Sequence, residues 1–231
     1  MPIVQANGIR MYYELHGEGP PLVWINGLGA DITESAPITR RLARRFRVLA
    51  FDNRGAGRSD KPDQPFTVEV MADDTAALMR TVGLQHANVA GISLGGRVAL
   101  ALALRHPELV RRLALISTAA RSPKRWRSAR LLNILAYLPI FRGQYAPPQY
   151  ALVRQREASL SFDCSRQLSQ IHVPTLIVHG KKDHLIPYAL AKELHAGIYG
   201  SSMITANGGH LFLFMRGREG YIDAIAAFLS T

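Results

Sequence analysis

Three residues of the chain have the side chains that together perform nucleophilic catalysis: Ser93, Asp183 and His210. A serine hydroxyl is a weak nucleophile at neutral pH, so it needs a general base within hydrogen-bond reach, and that base is oriented by a third group. The order serine, aspartate, histidine is the one expected when the serine lies in a tight strand-to-helix turn. The sequence therefore predicts a serine nucleophile if the fold brings three distant segments together.

The serine lies in the segment GISLGG, residues 91–96, between a short apolar run and a helix-forming segment. A serine at the apex of such a turn needs neighbours with almost no side chain two residues away on each side. Gly91 and Gly95 meet that need, and Gly96 gives further clearance. The pentapeptide alone is a weak signal, because glycine-rich turns of this form also arise by chance. Whether it is a nucleophile turn or a plain turn depends on the other two residues.

Among the histidines, His210 has the position expected of the base. It follows Gly208 and Gly209 after the last predicted strand, where a flexible backbone lets the imidazole reach over the sheet edge. Four others lie before strands or at helix ends, and we interpret them as structural or solvated: His16, His86, His106 and His172. Of the remaining candidates, His184 is next to Asp183 and cannot easily face it, and His195 lies inside a predicted helix.

Asp183 is the candidate for the third member. It follows the apolar run Thr175 to Val178 by a few residues, which puts it at the carboxyl end of a predicted strand. The competing position after the preceding strand holds no acid, because residues 117–156 contain no Asp or Glu. The alternative is that Asp183 is a turn or helix-capping residue. A second group of polar residues is interpreted as a turn network beside the site: Asp52, Arg54, Gly55, Gly57, Ser59 and Asp60.

Short apolar runs alternate with helical patterns along the chain, and the runs show no polar alternation, as in strands covered on both faces. The predicted fold class is α/β, a doubly wound and mostly parallel sheet of about eight strands. An antiparallel ribbon around Asn7 and Gly8 opens the chain. The other predicted strands are 22–25, 48–51, 87–92, 113–116, 175–178 and 202–205, and the predicted helices are 35–44, 68–81, 94–106 and 216–230.

The alternation pauses once, and we interpret residues 118–170 as a helical cap inserted into a core formed by residues 1–117 and 171–231. In an open parallel sheet, ligands bind outside the carboxyl ends of the strands. The insertion leaves from the end of the 113–116 strand, so it emerges at the same edge as Ser93. The sequence thus predicts that the cap covers the site.

The net charge of +11 is concentrated in one stretch. Between Leu109 and Arg156 there are ten basic residues and no acidic one, and the rest of the chain is nearly neutral. This distribution argues against nucleic-acid binding. In the cap, Arg121, Lys124, Arg125, Arg127 and Arg130 precede an apolar stretch, 131–141.

Three interpretations of this basic cap stay open. It is a lid that rests on an anionic membrane, an attractor of anionic substrates, or an ordinary cap with a solvated face, and we favour the last.

With 231 residues, 48% of them hydrophobic, the chain can bury the core of one α/β domain. The single cysteine and the lack of a leader or spanning segment predict a cytoplasmic protein. We expect no metal and no cofactor.

Five motifs together resemble the α/β-hydrolase superfamily: NGLGAD at 26–31, FDNRGAGRSDKP at 51–62, GISLGG at 91–96, VPTLIVHGKKDHLIP at 173–187 and GGHLF at 208–212. The chain is most similar to small serine carboxylesterases and 3-oxoadipate enol-lactonase relatives, with Asn26 where many relatives carry histidine. The resemblance implies hydrolysis of a small ester or lactone through an acyl-enzyme on Ser93.

The negative charge of the intermediate would be held by backbone N–H groups. One is that of Leu94, which follows the serine and starts a helix, and by resemblance the second is that of Leu28. A cofactor-free perhydrolase, a C–C bond hydrolase, or a small-ligand receptor with little turnover remain alternatives, and the oligomeric state stays open.

Overall fold

Eight strands form one sheet in the computed structural model, which describes residues 2–123 and 145–231. The strands are Ile3–Ala6 (β1), Ile9–His16 (β2), Pro21–Ile25 (β3), Arg47–Phe51 (β4), Ala87–Ile92 (β5), Val110–Ile116 (β6), Thr175–Gly180 (β7) and Ser202–Ala206 (β8). Their order across the sheet is β1-β2-β4-β3-β5-β6-β7-β8. β1 and β2 are antiparallel to their neighbours, and all other pairs are parallel. The predicted mostly parallel sheet of about eight strands is confirmed.

The antiparallel ribbon turns at Asn7 and Gly8, whose φ angles are 48° and 79°. Both residues lie in the left-handed region, as the two central residues of a type I′ turn require. This turn pairs Ala6 with Ile9 and so sets the register of β1 on β2.

Six α-helices lie in the described part of the chain: Ile32–Leu42 (α1), Val68–Thr81 (α2), Leu94–Arg105 (α3), Gln149–Ser161 (α4), Tyr188–Gly197 (α5) and Glu219–Ser230 (α6). They cover both faces of the sheet. Leu22 and Trp24 of β3 pack in one cluster with residues of α1 and α6, whereas Val23 and Ile25 pack in another with residues of α2 and α3. This two-sided burial explains why the strands read as unbroken apolar runs.

Two helix starts differ from the prediction. Helix α1 begins three residues before the predicted start at Ser35, because the Asp31 side chain accepts a hydrogen bond from Thr33 N at 2.7 Å and caps the helix. Helix α6 begins at Glu219 instead of Arg216, since residues 212–214 already form a separate 3₁₀ turn.

The polypeptide between β6 and β7 contains α4 and is joined to the core by Arg97 of α3. The guanidinium of Arg97 donates to Ser122 Oγ at 2.8 Å and to the carbonyl of Ser159. The predicted cap limits, 118–170, stay a prediction. No helix within residues 2–123 and 145–231 is both long enough and apolar enough to span a bilayer.

Candidate active site

Ser93 stands between β5 and α3 with φ 56° and ψ −116°, a left-handed conformation that is strained for a residue with a side chain. Two contacts with the end of β6 hold it there. Ser93 N donates to Ile116 O at 2.9 Å, and Thr118 Oγ1 donates to Ser93 O at 2.8 Å. The strained turn is therefore fixed by the neighbouring strand.

The glycines around Ser93 are required by close backbone contacts. A Cβ atom on Gly91 would collide with the carbonyl oxygen of Gly95, and a Cβ on Gly95 would collide with that of Ile25. A Cβ on Gly96 would lie 2.6 Å from Thr118 Cβ. Segment 91–96 therefore has the geometry that the sequence analysis expected of a nucleophile turn.

The three predicted residues come together at the carboxyl edge of the sheet. His210 Nε2 lies 3.0 Å from Ser93 Oγ, and His210 Nδ1 lies 2.8 Å from Asp183 Oδ2. His210 follows β8 and Asp183 follows β7, whereas Ser93 follows β5. One continuous chain of hydrogen bonds thus joins pairs of residues that are 117 and 27 positions apart in sequence. This geometry allows the imidazole to take a proton from the serine while the carboxylate orients it.

The carboxylate of Asp183 is buried, and its own turn supplies two hydrogen bonds in addition to the contact with His210. Its Oδ1 accepts from Leu185 N at 2.9 Å and from Ile186 N at 2.8 Å. Burial alone would raise the pKa of Asp183, but hydrogen bonds with His179 and His210 outweigh it and hold the pKa well below its ordinary value. Asp183 is therefore ionised at neutral pH and able to stabilise a protonated imidazole.

The predicted oxyanion donors belong to two segments that lie close to Ser93. Leu94 is the first residue of α3, so its N–H has no partner within the helix. Leu28 lies in the loop after β3, and this loop approaches the serine closely: a Cβ on Gly27 would lie 3.5 Å from Ser93 Cβ. Asn26, at the start of the loop, is buried and accepts from Trp24 Nε1 at 2.8 Å.

The turn network around Asp52 supports the same loop. Asp52 Oδ1 accepts from Ile32 N at 2.8 Å and its Oδ2 accepts from Arg58 N at 2.8 Å. Ser59 Oγ donates to Asp52 O at 2.6 Å. Burial raises the pKa of Asp52, although these backbone hydrogen bonds oppose the shift. The contacts agree with a supporting function for the network, because Asp52 fixes the first turn of α1.

Three residues beside the site were missed by the sequence analysis. His179 was not weighed among the histidines, yet its Nε2 lies 3.3 Å from Asp183 Oδ2. Ser117 Oγ donates to His210 O at 2.9 Å, and Thr118 holds the carbonyl of Ser93. Their common signal is position, because each lies at the end of β6 or β7, where the site residues gather.

Of the other histidines, four have partners away from the triad. His16 contacts Glu14, His86 contacts the carbonyl of Glu108, His106 contacts Asp73 and His195 contacts Ser201.

Most of the basic cap lies outside the described residues. The residues that are not described include the apolar stretch 131–141 and four basic residues of the cap: Lys124, Arg125, Arg127 and Arg130. The described Arg121 pairs with Glu193 of α5 at 2.7 Å. Within the described ranges, no group of three or more His, Cys, Asp and Glu side chains is arranged to hold a metal ion.

Comparison with known proteins gives two family profiles. One, described as alpha/beta hydrolase fold, matches residues 20–166, which is more than half of the chain. Another, described as TAP-like protein, matches residues 155–231.

Individual relatives cover nearly all of the chain. It is 32% identical to a protein of Caulobacter sp. (strain K31) assigned as the carbamate hydrolase RutD, covering 95% of this chain and 96% of that one. It is 30% identical to the 2-hydroxymuconate semialdehyde hydrolase of Pseudomonas sp. (strain CF600), covering 79% and 77%. Among solved structures, the enol-lactonase from Burkholderia xenovorans LB400 matches with a TM-score of 0.88 and 28% identity over 100% of both chains.

Proposed function

The chain belongs to the alpha/beta hydrolase fold family, and we propose that it is a serine hydrolase that cleaves carboxylic esters or lactones through an acyl-enzyme on Ser93. The observation that carries the proposal is the unbroken contact from Ser93 Oγ through the His210 ring to Asp183 Oδ2, with distances of 3.0 and 2.8 Å. A serine so placed has a base within reach, and the base has a buried carboxylate behind it.

In the first step, His210 Nε2 removes the proton from Ser93 Oγ as the oxygen attacks the carbonyl carbon of the substrate. Asp183 stabilises the resulting imidazolium through its contact with His210 Nδ1. The tetrahedral intermediate then collapses, the imidazolium gives its proton to the leaving alcohol, and the acyl group stays on Ser93.

During attack, negative charge develops on the former carbonyl oxygen. The N–H groups of Leu94 and Leu28 are the proposed donors to this oxygen, and the N-terminus of α3 adds a favourable dipole. Loss of one such donor costs roughly 3 kcal/mol in the activation barrier. A water molecule, deprotonated by His210, then attacks the acyl-enzyme, and the imidazolium returns this proton to Ser93 Oγ as the acid leaves. Every proton in the cycle passes through His210, so the reaction needs no metal or cofactor.

An ester or lactone substrate is supported by the match to the Burkholderia enol-lactonase over the whole chain. A carbamate, the substrate class in the name of the Caulobacter relative, presents a similar carbonyl and would use the same residues. The identity of the acyl and alcohol groups depends on the cap, much of which lies in residues 124–144. The cytoplasmic location and the anionic partners considered for the basic cap stay predictions.

The test is hydrolysis of p-nitrophenyl acetate and butyrate, and of simple lactones by proton release, with the wild type and Ser93→Ala. We expect multiple turnovers by the wild type and a loss of at least about 10³-fold in the variant. Ser230→Ala, an exposed residue at the end of α6, is the matched control. Turnover retained by Ser93→Ala would overturn the assignment, and a single slow turnover by the wild type would favour the receptor alternative.

A C–C bond hydrolase is a second candidate, favoured by the 30% identity to the Pseudomonas 2-hydroxymuconate semialdehyde hydrolase. The same substrate panel separates the two functions when that semialdehyde is added and its absorbance is followed. A kcat/KM for the semialdehyde far above that for every ester and lactone would replace the first proposal with the second.

A further inference from the structure

Gln155 of α4 is a fully buried polar side chain that joins two loops of the core. Its Oε1 accepts a hydrogen bond from Gly29 N at 2.7 Å, and its Nε2 donates to Arg54 O at 2.6 Å. Glutamine is rarely buried unless it is hydrogen-bonded, and here the two groups of the amide serve one loop each. Gly29 lies directly after Leu28, so this contact reaches the proposed oxyanion loop from the inserted segment.

Packing reinforces the hydrogen bond. Gly29 has φ +71°, and a Cβ atom there would lie 2.5 Å from Leu152 Cδ2, one turn before Gln155 on the same helix. On its other side, the loop approaches the nucleophile, since a Cβ on Gly27 would lie 3.5 Å from Ser93 Cβ. The loop is thus held between α4 and the nucleophile turn.

The contacts fix the peptide planes on both sides of Leu28. The Gly29 N–H belongs to the peptide plane that follows Leu28, and Gln155 holds it. The plane that contains Leu28 N–H also contains Gly27 O, which accepts from Ala30 N at 3.4 Å. Since peptide groups are planar, anchoring these atoms limits the direction in which Leu28 N–H points. Without Gln155, the Gly29 N–H would be buried without this partner and the loop would rearrange to satisfy it.

We propose that Gln155 is a positioning residue: from the inserted helix α4, it holds the 26–31 loop so that Leu28 N–H points at the developing oxyanion. The proposal rests on the proposed function, because the oxyanion is that of ester or lactone hydrolysis. It means that catalysis depends on how the insertion sits on the core, even though Gln155 itself does not touch the substrate.

The experiment compares Gln155→Met, which keeps the length of the side chain and removes both hydrogen bonds, with Gln155→Glu, which keeps an oxygen to accept from Gly29 N. The control is Gln149→Met, an exposed glutamine on the same helix. Three measurements are made on each variant: the kinetics of p-nitrophenyl butyrate hydrolysis, inhibition by a trifluoromethyl ketone, and hydrogen exchange of the Gly29 amide. The ketone is informative because its hemiketal oxygen needs the oxyanion donors. Thermal unfolding identifies any variant that does not fold.

We expect Gln155→Met to lower kcat by roughly 10- to 100-fold, because a displacement of about 1 Å has effects of this size, with KM changed less than about twofold. The inhibition constant of the ketone should rise in parallel, and the Gly29 amide should exchange at least about tenfold faster. Gln155→Glu should lose less on all three measures, and Gln149→Met should match the wild type.

Unchanged kcat in a folded Gln155→Met variant, or unchanged exchange of the Gly29 amide, would overturn the proposal. A parallel rise in KM with kcat unaltered would also contradict it, since that pattern marks a loss of substrate binding. The exchange measurement needs no turnover. If neither the wild type nor Ser93→Ala hydrolyses any ester, the proposed function fails, whereas the Gly29 amide still decides whether Gln155 holds the loop.

Discussion

His179 Nε2 lies 3.3 Å from Asp183 Oδ2, the same oxygen that contacts His210 Nδ1 at 2.8 Å. The same nitrogen of His179 is 2.9 Å from Ile186 O. A carbonyl oxygen can only accept, so His179 Nε2 carries a proton. The His179 ring is completely buried, and its Nδ1 has no hydrogen-bond partner in the described part of the chain. Asp183 is therefore oriented by a second, buried imidazole.

We predict that His179→Leu weakens both the fold and the catalytic geometry. The change leaves Ile186 O without this donor and removes one hydrogen bond to the charged carboxylate, so the free energy of unfolding should fall by about 2 kcal/mol. Because Asp183 would then orient His210 less well, kcat should fall on the order of tenfold, which is about 1.4 kcal/mol in the barrier. Urea unfolding and steady-state kinetics with p-nitrophenyl butyrate measure the two effects.

His179→Gln provides the comparison, because an amide N–H can still donate toward Ile186 O or Asp183. It should recover part of both losses. The recovery of activity should appear in kcat and not in KM. A folded His179→Leu variant with wild-type kcat would show that His179 only fills space.

The sequence predicted the strands well because each is buried on both faces, and burial of this kind leaves a run of apolar residues without polar alternation. It also predicted Ser93, Asp183 and His210, since each follows a strand and the order along the chain is specific. The contacts between them are now visible at 2.8 and 3.0 Å, but their catalytic roles remain to be tested by the Ser93→Ala assay.

Residues that support the site were not predictable in the same way. The contact between Gln155 and Gly29 joins positions 126 residues apart, and nothing in the local pattern of α4 distinguishes this glutamine from Gln149. His179 directly follows the predicted strand 175–178, and only the structure shows that β7 continues through it to Gly180 and brings its ring next to Asp183. Such contacts depend on how distant segments pack, and neither spacing nor composition records that.

The glycines of the nucleophile turn make a second prediction. Gly91→Ala places a methyl group against the backbone oxygen of Gly95, which cannot move aside without distorting the turn. We expect a loss of at least about 2 kcal/mol in the free energy of unfolding and nearly complete loss of esterase activity. Gly220→Ala in helix α6 is the control, because no atom lies within 4 Å of the added Cβ. It should stabilise the protein by roughly 0.5–1 kcal/mol, and equal losses in the two variants would contradict the steric argument.

Glu34, in the first turn of α1, makes stability depend on pH. Burial and the nearby charge of Asp31 raise the pKa of Glu34 from 4.5 to about 7. Folding therefore favours the protonated form, so the unfavourable contribution is absent below pH 4.5, grows as the pH rises toward 7 and is complete above it. Glu34→Gln keeps an oxygen for the helix N-terminus and cannot ionise.

The variant should match the wild type near pH 4.5 and be more stable at pH 8 by about 1–2 kcal/mol, after allowance for partial solvent screening. Urea unfolding at the two pH values measures this, with the exposed Glu18→Gln as control. A difference that is the same at both pH values would refute the assignment to Glu34.

Arg97 gives a last prediction, because it connects the nucleophile helix α3 to the inserted segment. Burial lowers the pKa of Arg97 to about 10, and in the described ranges its hydrogen bonds go to Ser122 Oγ and to the carbonyls of Arg121 and Ser159. Arg97→Met removes these bonds, but it also removes a buried charge that no carboxylate in the described structure contacts directly. The two effects on global stability oppose each other, with hydrogen bonds to a charged group worth about 1.5–3 kcal/mol each and burial of an ion costing several kcal/mol.

The clear expectation is therefore local. Hydrogen exchange of the α4 amides should become at least about tenfold faster in Arg97→Met, because Ser159 lies on that helix and loses its anchor to the core. Exchange of the Gly29 amide should rise with it, since Gln155 is carried by the same helix. Arg105→Met, an exposed residue on α3 paired with Asp73, should leave both unchanged and shift the free energy of unfolding by less than about 1 kcal/mol. Faster exchange in α4 without any change at Gly29 would contradict the coupling of this loop to α4 through Gln155.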